Sequence, residues 1–244
     1  MTTSGIEDSQ RKAAKIAGLA GLFSLVFITV GFTHFGFFEH FAVKDPAEAA
    51  RYVLAHEMLF RLGFVADVLC SVSLLVLGAA LYVVLKPVDQ NLALLVFSSR
   101  LFHAITWLLP AASLSTALGL LKDAEYVRAF PADQLPSVAR QYLSGGPYLC
   151  VGLLFWSLAV MFSSCLWLRS GYIPRALAAF GILTSAWLGV CAFGLFIVPE
   201  FLRKWVGGTW YDTPMALFEI ALNFVLLFRG LRPSRMEPPG GLGG

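Results

Sequence analysis

The sequence predicts an all-α fold, an integral membrane bundle of six transmembrane helices. Of its 244 residues, 58% are hydrophobic and 14% are charged, whereas soluble domains carry about 25% charged residues. The mean hydropathy is +0.74. Six apolar runs approach the length of about 20 residues that a membrane-crossing helix needs: Ile16 to Phe38, Leu62 to Leu85, Leu92 to about Leu114, Tyr148 to Leu168, Ala176 to Val198, and Met215 to Phe228.

The first run follows the basic residues Arg11, Lys12 and Lys15, which is an arrangement that resembles a secretory signal peptide. Its apolar part is longer than the central region of a signal peptide, and no Ala-x-Ala cleavage pattern follows it. We therefore expect an uncleaved first transmembrane helix. Gly18 and Gly21 would give this helix a surface for close packing.

A short surface helix is predicted between the first and second spans. Asp45 is suited to the N-cap, and Pro46 to the first helical position, so the helix should run from Pro46 to about His56. The loop of residues 122–146 should hold a second short helix, which Pro136 would open near its start.

Proline and glycine mark the boundaries of the remaining runs. Lys86-Pro87 ends the second run, and Gly145-Gly146-Pro147 begins the fourth with a proline in the first turn. The segment from Gly171 to Pro174 separates the fourth run from the fifth. Pro110 lies inside the third run, which continues apolar to Leu121, so we expect a kink or a projecting segment there.

The distribution of Lys and Arg predicts the orientation. With the N-terminus inside, nine basic residues fall on inner segments and seven on outer ones, and the inner loops are shorter. We therefore expect a multi-pass protein of the cell membrane with both termini cytoplasmic. Residues 1–235 are predicted to form a single domain, and the Pro- and Gly-rich residues 236–244 a disordered tail.

No metal site or cofactor is predicted. The four cysteines lie in apolar runs without CxxC or CxxH spacing, as expected of small buried hydrophobic residues. The histidines share no ligand spacing such as HExxH. No haem motif accompanies His34 and His103, which both lie in the outer half of their spans.

The candidate site consists of ionisable side chains within the spans: Asp67, Arg100, His103 and Glu219. Arg100 is placed near the bilayer midplane, where an unpaired charge costs roughly 2.5 kcal/mol or more. His103 follows three residues later and shares its helix face. Two interpretations stay open. Asp67, Arg100 and Glu219 form a buried ion-pair network that fixes helix register, or Arg100 binds an anionic or carbonyl group in an outward-facing pocket.

A second pair lies at the outer membrane boundary. Glu57 and Arg61 are four residues apart, so they can pair on one helix face. The favoured interpretation is an interfacial pair whose long side chains reach the aqueous boundary.

These residues also carry a family resemblance. The stretch from Glu57 to Asp67, then Leu81 to Pro87, then Arg100, resembles a bacterial membrane-protein family catalogued as domain of unknown function 4386. The segment from Leu168 to Leu177 is similar to that family's fourth-to-fifth helix turn. Glu219, followed by an apolar run and Arg229-Gly230, resembles its last helix.

The resemblance covers about Arg11 to Arg232 and implies a six-helix integral membrane protein without an established activity. The residues at matching positions are Glu57, Arg61, Asp67, Arg100 and Glu219. Where the family pattern has an acid three residues after the arginine, this chain has His103. The departure suggests the hypothesis of a pH-responsive site.

Two functional hypotheses follow. The leading one is a non-enzymatic membrane protein whose polar cluster is structural or binds a small ligand. The alternative is a membrane enzyme or carrier for a lipid-soluble or anionic small molecule, in which Arg100 anchors the substrate and Asp67 or His103 moves a proton. The expected partners are membrane lipid and a small-molecule ligand, and the oligomeric state stays open. The net charge of +3 forms no basic stripe, which argues against nucleic acid.

Overall fold

The structure is a computed structural model that describes residues 6–34, 46–122, 134, 138, 148–198 and 211–233. No strand occurs among these residues, so the all-α class is confirmed. In chain order, the helices are α1 (Asp8–His34), α2 (Pro46–Ala55), α3 (Glu57–Leu85), α4 (Gln90–Lys122), α5 (Tyr148–Ser170), α6 (Arg175–Ile197), α7 (Thr213–Phe224) and a π-helical turn (Val225–Arg229).

Five of these helices are long and apolar enough to cross a membrane. The segments that meet this condition are Asp8–Thr29, Glu57–Leu85, Gln90–Leu109, Cys150–Ser170 and Arg175–Ile197. The sixth predicted span forms α7, which has 12 residues and continues into the five-residue π-helical turn. The chain is therefore a multi-pass membrane protein, and α7, the last α-helix among the described residues, is shorter than these five helices.

Helix α6 shows the side-chain distribution expected of a membrane helix. Leu183, Val190 and Ile197 recur every seven residues and are 69%, 68% and 76% exposed, which gives the helix an apolar outer stripe. Its buried face instead carries small and hydroxyl residues such as Thr184 and Ser185. Apolar side chains outside and small residues at helix contacts are the pattern that lipid favours.

Turn residues fix several helix boundaries, and Gly171 and Pro174 are two that the sequence predicted. Asp89 accepts hydrogen bonds at 3.0 Å from the backbone N–H groups of Asn91 and Leu92, which caps the start of α4. Gly171 has φ +68°, a left-handed conformation that favours glycine, and it ends α5. Pro174 then occupies the N-cap position of α6.

The predicted surface helix is confirmed as α2, Pro46–Ala55. Helix α4 continues without interruption from Gln90 to Lys122. The kink or projecting segment expected at Pro110 stays a prediction. The predicted helix near Pro136 and the tail of residues 236–244 lie outside the described residues.

By its internal contacts the chain divides into two compact units. Unit 1 comprises Met1–Leu22, Leu74–His103 and Leu153–Gly244, and unit 2 comprises Phe23–Ser73 and Ala104–Gly152. Helices α1, α3, α4 and α5 each contribute residues to both units.

In unit 1, glycines allow α1 to approach α7 closely. A Cβ atom built on Gly18 would lie 2.7 Å from the carbonyl oxygen of Asn223, and one on Gly21 would collide with the Asn223 side chain. A Cβ on Gly181 of α6 would lie 2.6 Å from the Phe218 ring of α7. These helix contacts therefore depend on residues without side chains.

In unit 2, α2 packs against the adjoining ends of α3 and α4. Val53 from α2, Phe60 from α3 and Ala117 from α4 are buried together. Tyr52 packs on this core with its ring edge toward Phe60, at a centroid distance of 6.3 Å. The core holds the ends of the three helices together. Glu57, Arg61 and Lys122, called the Glu57 cluster below, lie at these ends of α3 and α4.

Candidate functional site

Arg100 and Glu219 form a buried ion pair in unit 1. Arg100 lies in the membrane-crossing part of α4, and Glu219 lies on the buried face of α7. The Arg100 guanidinium donates from Nη2 to Glu219 Oε1. The two residues are only 1% and 3% exposed, so each supplies the opposite charge that the other needs in an apolar interior.

Two aromatic side chains complete this cluster. Trp156 of α5 donates its indole N–H to the same Glu219 oxygen, with 2.9 Å between Nε1 and Oε1. The His103 ring stacks on Trp156, with a centroid distance of 5.7 Å and an interplanar angle of 7°. We call Arg100, His103, Trp156 and Glu219 the buried cluster. It links α4, α5 and α7 through one carboxylate and one stacked ring pair.

Gly78 of α3 determines how closely that helix approaches Arg100. A Cβ atom on Gly78 would lie 2.9 Å from Arg100 Cβ and 3.6 Å from Arg100 Cγ. The stem of the arginine therefore packs directly on the backbone of α3. The guanidinium end therefore faces α5 and α7, and α7 carries its acceptor, Glu219.

The guanidinium keeps unused hydrogen-bonding capacity. Arg100 Nε and Nη1 are buried and have no hydrogen-bond partner among the described residues. These two donor atoms are left over after the bond to Glu219, so the geometry is that of a directly joined ion pair with spare donors.

Asp67 belongs to unit 2, where it is half-buried on α3. Of the predicted network of Asp67, Arg100 and Glu219, the structure shows the Arg100–Glu219 pair within unit 1. A role for Asp67 as a proton carrier or as a second acid of the network stays a prediction.

The Glu57–Arg61 pair is present in unit 2 and includes a third residue. Glu57 Oε1 accepts from Arg61 Nε and Nη2, each at 2.8 Å. Glu57 Oε2 accepts from Lys122 Nζ at 2.6 Å. Glu57 thus joins the start of α3 to the end of α4, and the three residues together carry one net positive charge.

A cleft of about 610 Å³ lies beside this cluster and is lined by residues of α3 and α4. Arg61 and Lys122 supply charge at its wall, and Phe64, Val65 and Leu118 supply apolar surface. A Cβ atom on Gly119, which also lines the cleft, would meet nothing within 4 Å. The cleft therefore offers a cationic end and an apolar body to a ligand.

Sequence reasoning missed Trp156 and Lys122. Trp156 lies inside the fourth apolar run. An indole N–H buried there needs an acceptor, and this need could have indicated Trp156 as a member of the polar cluster. Lys122 lies 65 residues from Glu57, and only its place at the end of the third run connected the two.

The four cysteines are free thiols, and Cys70 and Cys191 among them are buried. Within the described part of the chain, no group of three or more His, Cys, Asp or Glu side chains could hold a metal ion. The side chains that converge are instead Arg100 with Glu219 and Trp156, and Glu57 with Arg61 and Lys122.

Comparison with known proteins gives one match. A family model described as Domain of unknown function (DUF4386) matches residues 16–230, which is most of the chain. No curated protein and no solved structure matches the sequence. The match covers six complete helices, α2 to α7, the π-helical turn, and both the buried cluster and the Glu57 cluster. This multi-pass membrane protein therefore belongs to the family described as Domain of unknown function (DUF4386).

Proposed function

We propose that this is a non-enzymatic protein of the cell membrane in which the buried cluster fastens the transmembrane helices. The observation that carries the proposal is the Arg100–Glu219 pair, in which both charges are buried and joined directly. The paired residues are 119 positions apart in the sequence. The pair therefore fixes the position of the last helix against a helix from the middle of the chain.

The energetic argument favours a fastener. A single charge at the bilayer centre costs about 2.5–3.5 kcal/mol, so both residues are expensive unless they meet. Because each charge is neutralised only when the two meet, the pair stabilises only the arrangement in which α4 and α7 are in the correct register. Trp156 adds a hydrogen bond to the same carboxylate, which places α5 in that register as well.

The test is a cycle of charge removal. Arg100→Met and Glu219→Leu each leave one buried charge without its partner, which costs about 3–5 kcal/mol. At ~2–4 °C per kcal/mol for a chain of this length, the melting temperature in detergent should fall by about 6–20 °C. The double variant removes both charges and should recover most of this loss, because no uncompensated charge remains.

A matched control is the exposed pair Asp8–Lys12 of α1, whose charged atoms are 3.5 Å apart. Asp8→Leu, Lys12→Met and their double variant should leave the melting temperature nearly unchanged. Normal stability of Arg100→Met would contradict the fastener, and so would a double variant as unstable as the sum of the single variants.

The orientation forms part of the same proposal. Both termini are placed in the cytoplasm because the predicted inner loops are short and concentrate Lys and Arg near the span ends. A reporter active only in the cytoplasm, fused after residue 233, should be active. Activity of a periplasm-dependent reporter at the same position would reverse the orientation.

A second candidate function is the binding of a small anionic amphiphile in the cleft of unit 2. Its volume of about 610 Å³ falls within the range of about 300–1,000 Å³ typical of ligand sites. The single net positive charge of the Glu57 cluster would be neutralised by one carboxylate. The apolar wall of the cleft would then contact the ligand chain.

Dodecanoate and dodecanol serve as probes, since they share the chain and differ in charge. Dodecanoate should raise the melting temperature of the wild type in a neutral detergent, and dodecanol should raise it less. Gly119→Leu fills the cleft and should abolish the difference between the two probes. Equal effects of the two probes, or an unchanged response of Gly119→Leu, would exclude this function.

A further inference from the structure

The segment that follows the last helix folds back onto the turn between α5 and α6. Gly230, with φ +66°, ends the π-helical turn and donates its N–H to the Val225 carbonyl at 3.0 Å. Two residues later, the backbone N–H of Arg232 donates to the Tyr172 carbonyl at 2.9 Å. This bond fixes the chain after the final helix against a turn about 60 residues earlier in the sequence.

A cavity of about 220 Å³ lies where these two segments meet. Its lining residues are Gly171, Ile173, Arg175, Arg232 and Pro233. Both arginine side chains are exposed, and neither has an acidic partner among the described residues. Two arginines from distant parts of the sequence thus give the cavity two uncompensated positive charges.

The cavity lies at the ends of three helical segments. Helix α5 ends at Ser170, α6 begins at Arg175, and the π-helical turn ends at Arg229. Because α5 and α6 are membrane-crossing segments, their ends mark the boundary between the apolar core of the bilayer and its polar headgroups. The two arginines are therefore at the depth of lipid phosphates.

Exposed apolar side chains lie on the two elements that lead to Arg175 and Arg232. Phe180 and Leu183 follow Arg175 on α6 and are 39% and 69% exposed. Phe228 lies in the π-helical turn, four residues before Arg232, and is 72% exposed. A ligand with an anionic head in the cavity would find apolar surface for its chains along these two segments.

We propose that this cavity binds the phosphate headgroup of an anionic phospholipid through Arg175 and Arg232. Guanidinium groups form bidentate hydrogen bonds with phosphate oxygens, which two lysines would not reproduce. Basic pockets between transmembrane helices are a known form of headgroup recognition. The site shares no residue with the buried cluster or with the cleft of unit 2, so it is independent of both proposed functions.

Free phosphate is the alternative source of the same chemistry. An exposed pair of arginines binds a free anion weakly in salt, because mobile ions screen the charges. A phospholipid is already concentrated at this depth and adds contacts between its chains and the apolar surface. The observations therefore favour the lipid.

The experiment measures ligand-dependent thermal stability of the purified full chain in a neutral detergent. The probes are short-chain phosphatidylglycerol, phosphatidylcholine of the same chain length, and inorganic phosphate. Phosphatidylglycerol should raise the melting temperature with the concentration dependence of a saturable site. The other two probes should have little effect at the same concentrations.

Arg175→Gln/Arg232→Gln should weaken phosphatidylglycerol binding by ~10-fold or more, because both bidentate donors are lost. Arg229→Gln is the matched control, since this exposed arginine lies at the same end of the helices and does not line the cavity. If the double variant fails to fold, Arg175→Lys and Arg232→Lys replace it. Each keeps the charge, loses the forked geometry, and should bind phosphatidylglycerol more weakly than the wild type.

Three outcomes would overturn the proposal. Equal stabilisation by phosphatidylcholine would show that the anionic charge is irrelevant. Equal stabilisation by inorganic phosphate would assign the cavity to a free anion. An effect of Arg229→Gln as large as that of the double variant, or lysine variants that bind like the wild type, would show diffuse attraction rather than a site.

Discussion

Gly78 of α3 and Gly119 of α4 allow a matched pair of alanine substitutions, one at a crowded position and one at an open position. A Cβ atom on Gly78 would lie 2.9 Å from Arg100 Cβ, whereas one on Gly119 would meet nothing within 4 Å. Carbon atoms in contact prefer a separation of about 3.5–4.0 Å. Gly78→Ala therefore forces α3 and the base of the Arg100 side chain apart by ~0.6 Å or more.

The two substitutions share one favourable contribution and differ in packing. Alanine in a helix interior stabilises by about 0.5–1 kcal/mol relative to glycine, and this applies at both positions. Overpacking adds a cost of about 1–3 kcal/mol at Gly78 only. The atom that must move is a Cβ, which is fixed to its backbone, so a change of rotamer cannot relieve the contact.

The assay is thermal unfolding of both variants in the same detergent. A difference of about 1–3 kcal/mol corresponds to melting temperatures that differ by about 2–12 °C, with Gly119→Ala the more stable. Gly119→Ala should equal or exceed the wild type. Equal melting temperatures for the two variants would refute the close packing of Arg100 on α3.

Two further predictions concern Trp156 and Asp212. Trp156→Phe keeps an aromatic ring beside His103 but removes the N–H that Glu219 accepts, so unfolding in detergent should show a loss of about 1.5–3 kcal/mol, and an unchanged stability would contradict that bond. Burial raises the pKa of Asp212, just before α7, from 3.8 to about 6. A raised acid pKa contributes stability that is present below 3.8 and lost as pH rises through about 6. Asp212→Asn should therefore match the wild type near about pH 4 and exceed it near about pH 7, and a constant difference across that range would contradict the shift.

Local sequence rules predicted the apolar helices and many of their boundaries. Proline and an N-cap residue were sufficient to locate α2, since these residues act on the first turn of their own helix. The turn from Gly171 to Pro174 was equally readable, because only glycine readily adopts the positive φ found there. The last apolar run was already short in the sequence, as α7 is, but the π-helical turn that follows α7 has no comparable local signal.

The site was predictable only in part. The cost of a charge in lipid identified Arg100 and Glu219 as residues that need partners. The contribution of Trp156, and the third member of the Glu57 cluster, Lys122, depend on which helices become neighbours. Neighbouring helices cannot be read from apolar periodicity, because every run has similar composition and nearly any pair could pack.

By itself, the sequence determined that this protein lies in the membrane as helices, where those helices begin, and which charges are costly there. These properties depend on composition and on interactions within a few residues. Only the tertiary structure decided that Glu219 neutralises Arg100 and that Arg232 comes to line the same cavity as Arg175. Each of these pairings joins residues more than fifty positions apart, and chain packing rather than local chemistry brings them together.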